Sequence, residues 1–309
     1  MMDLISCYSQ YAVQVSESSS CSSYTPSNPC IISPNNFIPS TQTTVNSLYK
    51  ITLSSGDHHF ITVTWHRNAT TQFLHINSGD NSLFRLNTHS GFFRKKKGTK
   101  WFETHESKFE IYYDLSSAQY AAGAEPVEGY YVLIVINSDV GLLIGDMTEE
   151  TTVKRIKTHK QIGKFSLVSR KEYFSGNTLY TTKAKFSDAG NWHDVMIRCT
   201  GENEGLKHPV LQVCIDKRVV IRVKRLQWNF RGNQTIFLDG LLVDLMWDVH
   251  DWFFNSDPGS GSGSGHAVFM FRTRSGLDSR LWLEEKIVKG DDDDDEKKGF
   301  SFFIYATKS

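Results

Sequence analysis

From Leu48 onward the chain consists mainly of short segments in which apolar and polar residues alternate. Alternation with a period of two is typical of β-strands that bury one face and expose the other. Turn residues such as Ser55-Gly56-Asp57 and Asp239-Gly240 separate these segments. The predicted strands include Phe60–Trp65, Phe109–Tyr113, Tyr130–Ile136, Val210–Ile215, Val219–Val223, Val243–Trp247, Val268–Phe271 and Phe300–Tyr305. The pattern therefore predicts an all-β protein.

Three segments depart from this pattern. Thr148–Lys157 and Leu277–Val288 have a spacing compatible with helices, although neither carries a strong helical signal. Residues 1–44 are rich in Ser, Thr, Pro and Asn and show no sustained periodicity. Because such a segment cannot bury enough apolar surface to offset the entropy lost on ordering, we predict a disordered Ser-rich N-terminal tail.

The rest of the chain contains an internal repeat. Gly56–His59 and the strand after it recur as Gly190–His193 and its following strand. Phe109–Leu115 recurs in the same way as Val243–Val249. Both pairs of blocks have the same offset and the same order along the chain, which predicts an internal duplication.

We expect the duplicated blocks to form two antiparallel β units, residues 45–150 and residues 151–309. No flexible linker rich in Pro or Gly separates them. Packing together would hide strand edges and enlarge the core of each unit. The expected fold is therefore a β-sandwich or barrel-like body in which the second unit is closely packed on the first.

The charge balance bears on the partner. The chain has 309 residues, with 34 Lys and Arg against 34 Asp and Glu, and so a formal net charge of zero. A dedicated nucleic-acid binder normally carries a basic excess, and this balance therefore argues against nucleic acid as a partner. No apolar run approaches the roughly 18 residues of a membrane-spanning helix, so we expect no membrane insertion.

The cysteines and the N-terminal residues bear on the compartment. An odd number of cysteines, five, does not form the pattern of a disulfide-stabilised domain. Residues 1–30 contain no Lys or Arg and no apolar core of a secretory signal. We expect a cytoplasmic protein, with the nucleus as a second location because Arg94–Lys97 and Lys154–Lys171 are basic enough to serve as import signals.

One group of motifs resembles a known family. The motifs are Leu226–Thr235, Trp247–Trp252, Gly265–Phe269, Val63–Trp65 and Tyr113–Ala118. They are similar to a plant-specific uncharacterised family, domain of unknown function 868, over about residues 45–305. The resemblance implies a plant source. It implies no activity, because the family supplies no catalytic or binding residues to transfer.

Two sets of duplicated residues are candidates for chemistry. Asp114 and Asp248 could form a carboxylate pair for acid–base catalysis, but each ends a predicted strand, where Asp commonly caps a turn. His59, His193, His250 and His266 invite a metal hypothesis. They lack the close ligand pairs of zinc sites, so we predict no metal and no cofactor.

The aromatic residues of the second half are candidates for ligand binding. Trp228, Trp247 and Trp252, with His250, could line a groove for a small apolar or sugar ligand. Alternation along the strands instead predicts that most of these rings belong to the core. Both interpretations remain open from the sequence.

These observations favour a β-sandwich interaction module without enzymatic activity, whose partner is a protein. A lectin-like or lipid-like binder that holds a small ligand in an aromatic groove is the first alternative. A hydrolase that uses Asp114 or Asp248 is the second. No nucleophile–base motif, phosphate loop or dinucleotide fingerprint occurs in the sequence.

Overall fold

The computed structural model describes most of the chain after residue 38. The described ranges are 39–79, 81–88, 95–105, 107–146, 162–176, 179–187, 190–200, 209–254, 265–274 and 299–307. The two helix-compatible segments, Thr148–Lys157 and Leu277–Val288, lie outside the described residues, as does nearly all of the predicted tail. The first strand begins at Thr41, a few residues before the predicted end of the tail.

The predicted all-β class is confirmed. Over the described residues the chain forms nineteen strands and one short helix, α1 (His250–Phe254). The strands are β1 (Thr41–Thr52), β2 (His58–Arg67), β3 (Gln72–Ser78), β4 (Asn81–Asn87), β5 (Lys97–Glu103), β6 (Lys108–Asp114), β7 (Gln119–Tyr120), β8 (Pro126–Glu128), β9 (Tyr131–Ile136), β10 (Asp139–Gly145), β11 (Lys164–Ser175), β12 (Leu179–Ala184), β13 (His193–Thr200), β14 (Val210–Ile215), β15 (Arg218–Val223), β16 (Arg231–Leu238), β17 (Leu241–Asp248), β18 (His266–Thr273) and β19 (Ser301–Thr307).

One long sheet of nine strands runs through the molecule. Its order is β16-β17-β18-β19-β11-β1-β2-β3-β4. Neighbouring strands are antiparallel except β11 and β19, which pair in parallel. Within the described residues the two end strands, β16 and β4, do not pair with each other, so the sheet is open. The barrel-like alternative is therefore wrong.

The strand order of the first half recurs in the second. In the first half, β1-β2-β3-β4 lie side by side and β5-β6-β9-β10 form a four-stranded sheet. In the second half, β12-β13-β14-β15 form a four-stranded sheet and β16-β17-β18-β19 lie side by side. Strand β11 stands outside both sets and joins β1 to β19. The blocks that match in sequence lie on strands of the same rank, β2 with β13 and β6 with β17.

The two four-stranded sheets cover the same face of the long sheet. Val45 of β1 belongs to the first core, and its partner in register is Glu172 of β11. Phe174 belongs to the second core and lies two residues further along β11, on the same face as Glu172. Over the described residues the molecule therefore has two layers and two main cores, one beneath each four-stranded sheet. A smaller third cluster, Tyr131, Leu133, Val135 and Val140, is buried on the other face of β9 and β10.

A buried polar cluster lies between the two cores, and we call Gln42, Glu125, Arg170 and Glu172 the seam cluster. Arg170 places Nε 2.7 Å from Glu172 and Nη2 2.8 Å from Glu125. Gln42 donates from Nε2 to Glu172 at 2.7 Å and accepts from the Ala124 backbone N–H at 3.2 Å. Glu172 is fully buried at the junction of the two halves. Its negative charge is therefore stabilised by Arg170 and Gln42 rather than by water.

Candidate functional site

Asp114 ends strand β6 and holds the turn that follows. Its carboxylate lies 2.9 Å from Lys97 Nζ and accepts the Ser116 backbone N–H at 3.1 Å. Partial burial acts to raise the pKa of Asp114, but the contacts with Lys97 and Ser116 outweigh it, and the pKa falls below its ordinary value. These contacts are those of a turn cap with a cationic neighbour.

Asp248 has the same arrangement at the end of β17. Its carboxylate lies 2.8 Å from Arg231 Nε on β16 and accepts the His250 backbone N–H at 3.0 Å. Asp114 lies in a four-stranded sheet and Asp248 in the long sheet, and the contacts just given share no partner. These contacts are local to each aspartate and do not join the two into a carboxylate pair.

We expect Asp248→Asn to change the free energy of unfolding by less than about 1 kcal/mol. The amide oxygen can still accept the His250 N–H, and the ion pair that is lost is half exposed. Urea unfolding measures this change, with Asp114→Asn as the matched variant in the first half. A loss above about 2 kcal/mol would show that the exposed pair does more than cap a turn.

The start of the Trp-rich block forms an anchored turn that links β15 to β16. The backbone N–H groups of Trp228 and Asn229 both donate to the Arg225 carbonyl, at 2.9 and 3.1 Å. The Asn229 side chain donates to the Lys224 carbonyl at 2.9 Å. Trp247 Nε1 then donates to the Asn229 carbonyl at 3.0 Å, which ties the turn to the second core.

This turn presents a surface that we call the Trp228 corner, made of Trp228, Phe230, Arg231, His250 and Phe254. The ring centroid of Phe230 lies 5.2 Å from His250 and 5.7 Å from Phe254. The rings of His250 and Phe254 are 5.0 Å apart, and the Arg231 guanidinium lies 5.7 Å from the Phe230 centroid. Trp228 is 77% exposed and Phe254 is 55% exposed. The corner thus combines exposed aromatic rings with one cation.

Asp251 holds His250 of the Trp228 corner in place through its carboxylate. Its carboxylate oxygens lie 3.0 Å from His250 Nδ1 and 3.0 Å from His266 Nε2. The hydrogen bond with His250 is the largest cause that lowers the pKa of Asp251. A Cβ atom at Gly265 would lie 2.4 Å from the Asp251 carbonyl oxygen, so this close approach requires glycine. The helix side of the corner is therefore held by the contacts of Asp251, as its turn is held by backbone hydrogen bonds.

The structure separates the four residues predicted to line an aromatic groove. Trp247 and Trp252 are each 5% exposed and belong to the second core. Trp228 and His250 lie at the surface, in the Trp228 corner. Of the other histidines, His59 packs edge-on against Phe109 with 6.0 Å between centroids. Among the described residues, no group of three or more His, Cys, Asp and Glu side chains is arranged to hold a metal ion.

Sequence reasoning missed a second arrangement, which we call the His193 clasp. His193 begins β13 and is 5% exposed. Its Nδ1 lies 2.6 Å from Asp216 and its Nε2 lies 2.9 Å from Asp239. Asp216 is in the β14–β15 turn and Asp239 is in the β16–β17 turn, and both have positive φ angles typical of tight hairpins. The clasp therefore links one four-stranded sheet to the long sheet.

The chemistry of the clasp favours a charged imidazole. Since both ring nitrogens face carboxylates, each must donate a proton. Burial acts to lower the pKa of His193, but the hydrogen bonds with Asp216 and Asp239 outweigh it and raise the pKa above its ordinary value. The pKa values of both aspartates are lowered, that of Asp239 first by the Asn191 backbone N–H. With both nitrogens occupied, His193 is a structural link rather than a general base.

We expect the clasp to make stability depend on pH. The contribution of His193 is complete below the pKa of an unfolded histidine, about 6.5, and is lost as pH rises through the raised folded pKa. The contributions of Asp216 and Asp239 are complete above about 3.9 and are lost as pH falls through their lowered pKa values. The stabilisation should therefore be greatest between about pH 4 and 6.5.

Urea unfolding of the wild type and of His193→Gln across this pH range measures the effect. The difference in stability between the two proteins should shrink as pH rises toward 9. His266→Gln, at a more exposed histidine, is the matched control and should show a smaller pH dependence. A His193→Gln difference that stays constant or grows with rising pH would contradict the assignment.

The cysteines and helices bear on the compartment. Cys199 is a buried free thiol, and burial raises its pKa to about 12. Cys214 takes part in a disulfide bond. In the part of the chain that the structure describes, no helix has the length and apolar character needed to cross a membrane. The cytoplasmic or nuclear location stays a prediction.

The chain matches one known protein family over most of its length. A sequence profile described as a plant protein of unknown function (DUF868) matches residues 40–308, a range that includes all nineteen described strands. The chain belongs to the DUF868 family. The match extends across the seam cluster, the His193 clasp and the Trp228 corner, so all three lie within the family's domain. Searches of curated proteins and of solved structures find no match.

Proposed function

We propose that this member of the DUF868 family is a non-enzymatic protein-interaction module and that the Trp228 corner is its recognition surface. The observation that carries the proposal is the exposure of two rings, Trp228 on an anchored turn and Phe254 on the neighbouring helix α1. Large aromatic rings left in water are a cost to an isolated protein that burial in a complex would remove. The corner exposes the rings of Trp228 and Phe254 to solvent instead of packing them in the core, and this exposure supports a binding role.

The composition of the corner also supports protein recognition. Trp, Tyr and Arg are the residue types enriched at the energetic centres of protein interfaces. Trp228 and Arg231 supply two of these types, and Phe230 and Phe254 add apolar area. Because hydrogen bonds already fix the turn, little conformational entropy is lost when a partner binds.

The contacts around the other candidates favour this function over the two alternatives. A small-ligand groove would need Trp247 and Trp252 at a concave surface, whereas both pack in the core. A hydrolase would need Asp114 or Asp248 free to reach a substrate, whereas each carboxylate has a cationic neighbour and a backbone donor. Protein recognition through the corner uses neither arrangement.

We expect Trp228→Ala to weaken capture of the partner about tenfold or more, because the most exposed ring of the corner is lost. The measurement is quantitative mass spectrometry of proteins retained from plant extract by the immobilised chain. Trp192→Ala is the matched control, since Trp192 is another exposed tryptophan, 61% exposed, outside the corner. Equal retention by the wild type and by Trp228→Ala would contradict the proposal.

We further propose that residues 45–150 and 151–309 are two β units that arose by duplication. The repeated strand order supports this. So does a repeated glycine: Gly98 on β5 lies opposite Tyr113, and Gly232 on β16 lies opposite Trp247. In both places the missing side chain leaves room for the ring across the sheet.

A further inference from the structure

Strand β5 has an open edge. It is the end strand of the sheet β10-β9-β6-β5, and no strand of the described residues pairs with its outer side. The Leu115 N–H donates to the Lys96 carbonyl, and the Thr104 N–H donates to the Ser107 carbonyl. These two bonds frame the β5–β6 ladder and fix which residues of β5 point their backbone groups toward β6.

The ladder directs alternate residues of β5 outward. Residues in register with β6 alternate between hydrogen-bonded and non-hydrogen-bonded pairs. Because Lys96 and Thr104 are in hydrogen-bonded pairs, so are the even-numbered positions between them. The backbone N–H and C=O groups of Thr99, Trp101 and Glu103 therefore face the open edge.

The same three residues line a groove on the outer face of the sheet. The groove has a volume of about 350 Å³ and is lined by Thr99, Trp101, Glu103, Lys108 and Glu110. Trp101 is 71% exposed and lies opposite Glu110 in the β5–β6 register. A strand added beside β5 would therefore place alternate side chains directly beside the Trp101 ring.

The charges around Trp101 favour the binding of a positively charged side chain. Glu103 lies two residues from Trp101 on the same face, and Glu110 lies across from it. Lys108 pairs with Glu110 at 3.4 Å and also lies opposite Glu103 in the register, so the two carboxylates of the groove share one cation and its lining keeps one excess negative charge. An ammonium or guanidinium group over an indole ring gains cation–π attraction in addition to the ion pair.

We propose that the open edge of β5 binds an extended basic peptide segment. The peptide adds a strand beside β5, pairs with the backbone groups of Thr99, Trp101 and Glu103, and places a Lys or Arg side chain on Trp101 next to Glu103. Backbone pairing supplies affinity that is independent of sequence, and the groove supplies the preference for a basic residue. This surface lies on β5, whereas the Trp228 corner is built from β16, α1 and the turn before β16.

The test is selection of a phage-displayed random peptide library on the immobilised full chain. We expect the selected peptides to share a Lys or Arg flanked by β-branched residues. A fluorescent copy of the best peptide should bind Trp101→Ala about tenfold more weakly than the wild type. Thr99→Pro should weaken binding as much, because it removes an N–H that faces the open edge and leaves the ladder with β6 intact.

Two controls keep this test independent of the fold and of the Trp228 corner. Thermal unfolding establishes that each variant is folded, and Trp192→Ala and Trp228→Ala should bind the peptide as the wild type does. Exchange of the basic residue of the peptide for glutamate should abolish binding. The proposal is overturned if no peptide is enriched, if the selected peptides lack a basic residue, or if folded Trp101→Ala and Thr99→Pro bind as tightly as the wild type.

Discussion

Arg170→Met is expected to lower the free energy of unfolding by about 3–5 kcal/mol, the range found when one partner of a buried ion pair is removed. Arg170 lies between two carboxylates, 2.7 Å from Glu172 and 2.8 Å from Glu125. Glu172 is fully buried, so the methionine would leave its charge without a cation. Urea unfolding at neutral pH measures the loss.

A double variant distinguishes the charge from the packing of the seam cluster. Arg170→Met combined with Glu172→Met removes both charges and keeps side chains of similar length. The double variant should be more stable than Arg170→Met alone, because a buried pair replaced by apolar residues no longer leaves an uncompensated charge. Glu125→Gln, at a partly exposed position, should cost less than Arg170→Met. A double variant less stable than the single one would contradict this account.

Gly232→Ala is expected to lower the free energy of unfolding by about 3 kcal/mol, near the upper end of the usual cost of overpacking. A Cβ atom at this position would lie 2.3 Å from Cζ2 of Trp247. The indole ring is buried in the second core, and its Nε1 donates to the Asn229 carbonyl, so it cannot move without breaking that bond. Thermal and urea unfolding report the loss.

The matched variant is Gly98→Ala at the equivalent position of the first half. There the new Cβ would lie 3.1 Å from the hydroxyl oxygen of Tyr113, at the far end of the side chain. A small shift of that ring suffices, so the change should stay within about 1 kcal/mol. If Gly98→Ala were as destabilising as Gly232→Ala, contact with the Trp247 ring would not be the cause.

Much of the fold could be predicted because many of its strands have one buried face, although β9 is buried on both. The segment predicted at Val210–Ile215 coincides with β14, and on β17 the inward positions Val243, Leu245 and Trp247 alternate with polar or half-buried ones. The alternation does not predict β5 or β11. In β5 five of seven residues are exposed, and the first eight residues of β11 are exposed or half-buried, so neither strand shows clean alternation.

The candidate site is predictable only in part, for a related reason. On β17 the period-two pattern alone is enough to assign Trp247 to the same inward face as Val243 and Leu245. Trp228 lies in a turn, where no periodicity tells whether a ring points inward or outward. The His193 clasp joins residues from three distant segments, with Asp216 and Asp239 as its other members. The Asp-Gly pair at residues 239–240 indicates a hairpin turn, but it does not indicate what the carboxylate contacts.

The central claim is that the chain binds another protein through the Trp228 corner, and native mass spectrometry of tagged chain recovered from plant tissue tests it most directly. The account predicts an added mass of polypeptide size on the wild type and on Trp192→Ala, and its loss from Trp228→Ala. A wild-type chain that carries only a small-molecule addition, or no addition, would contradict the account.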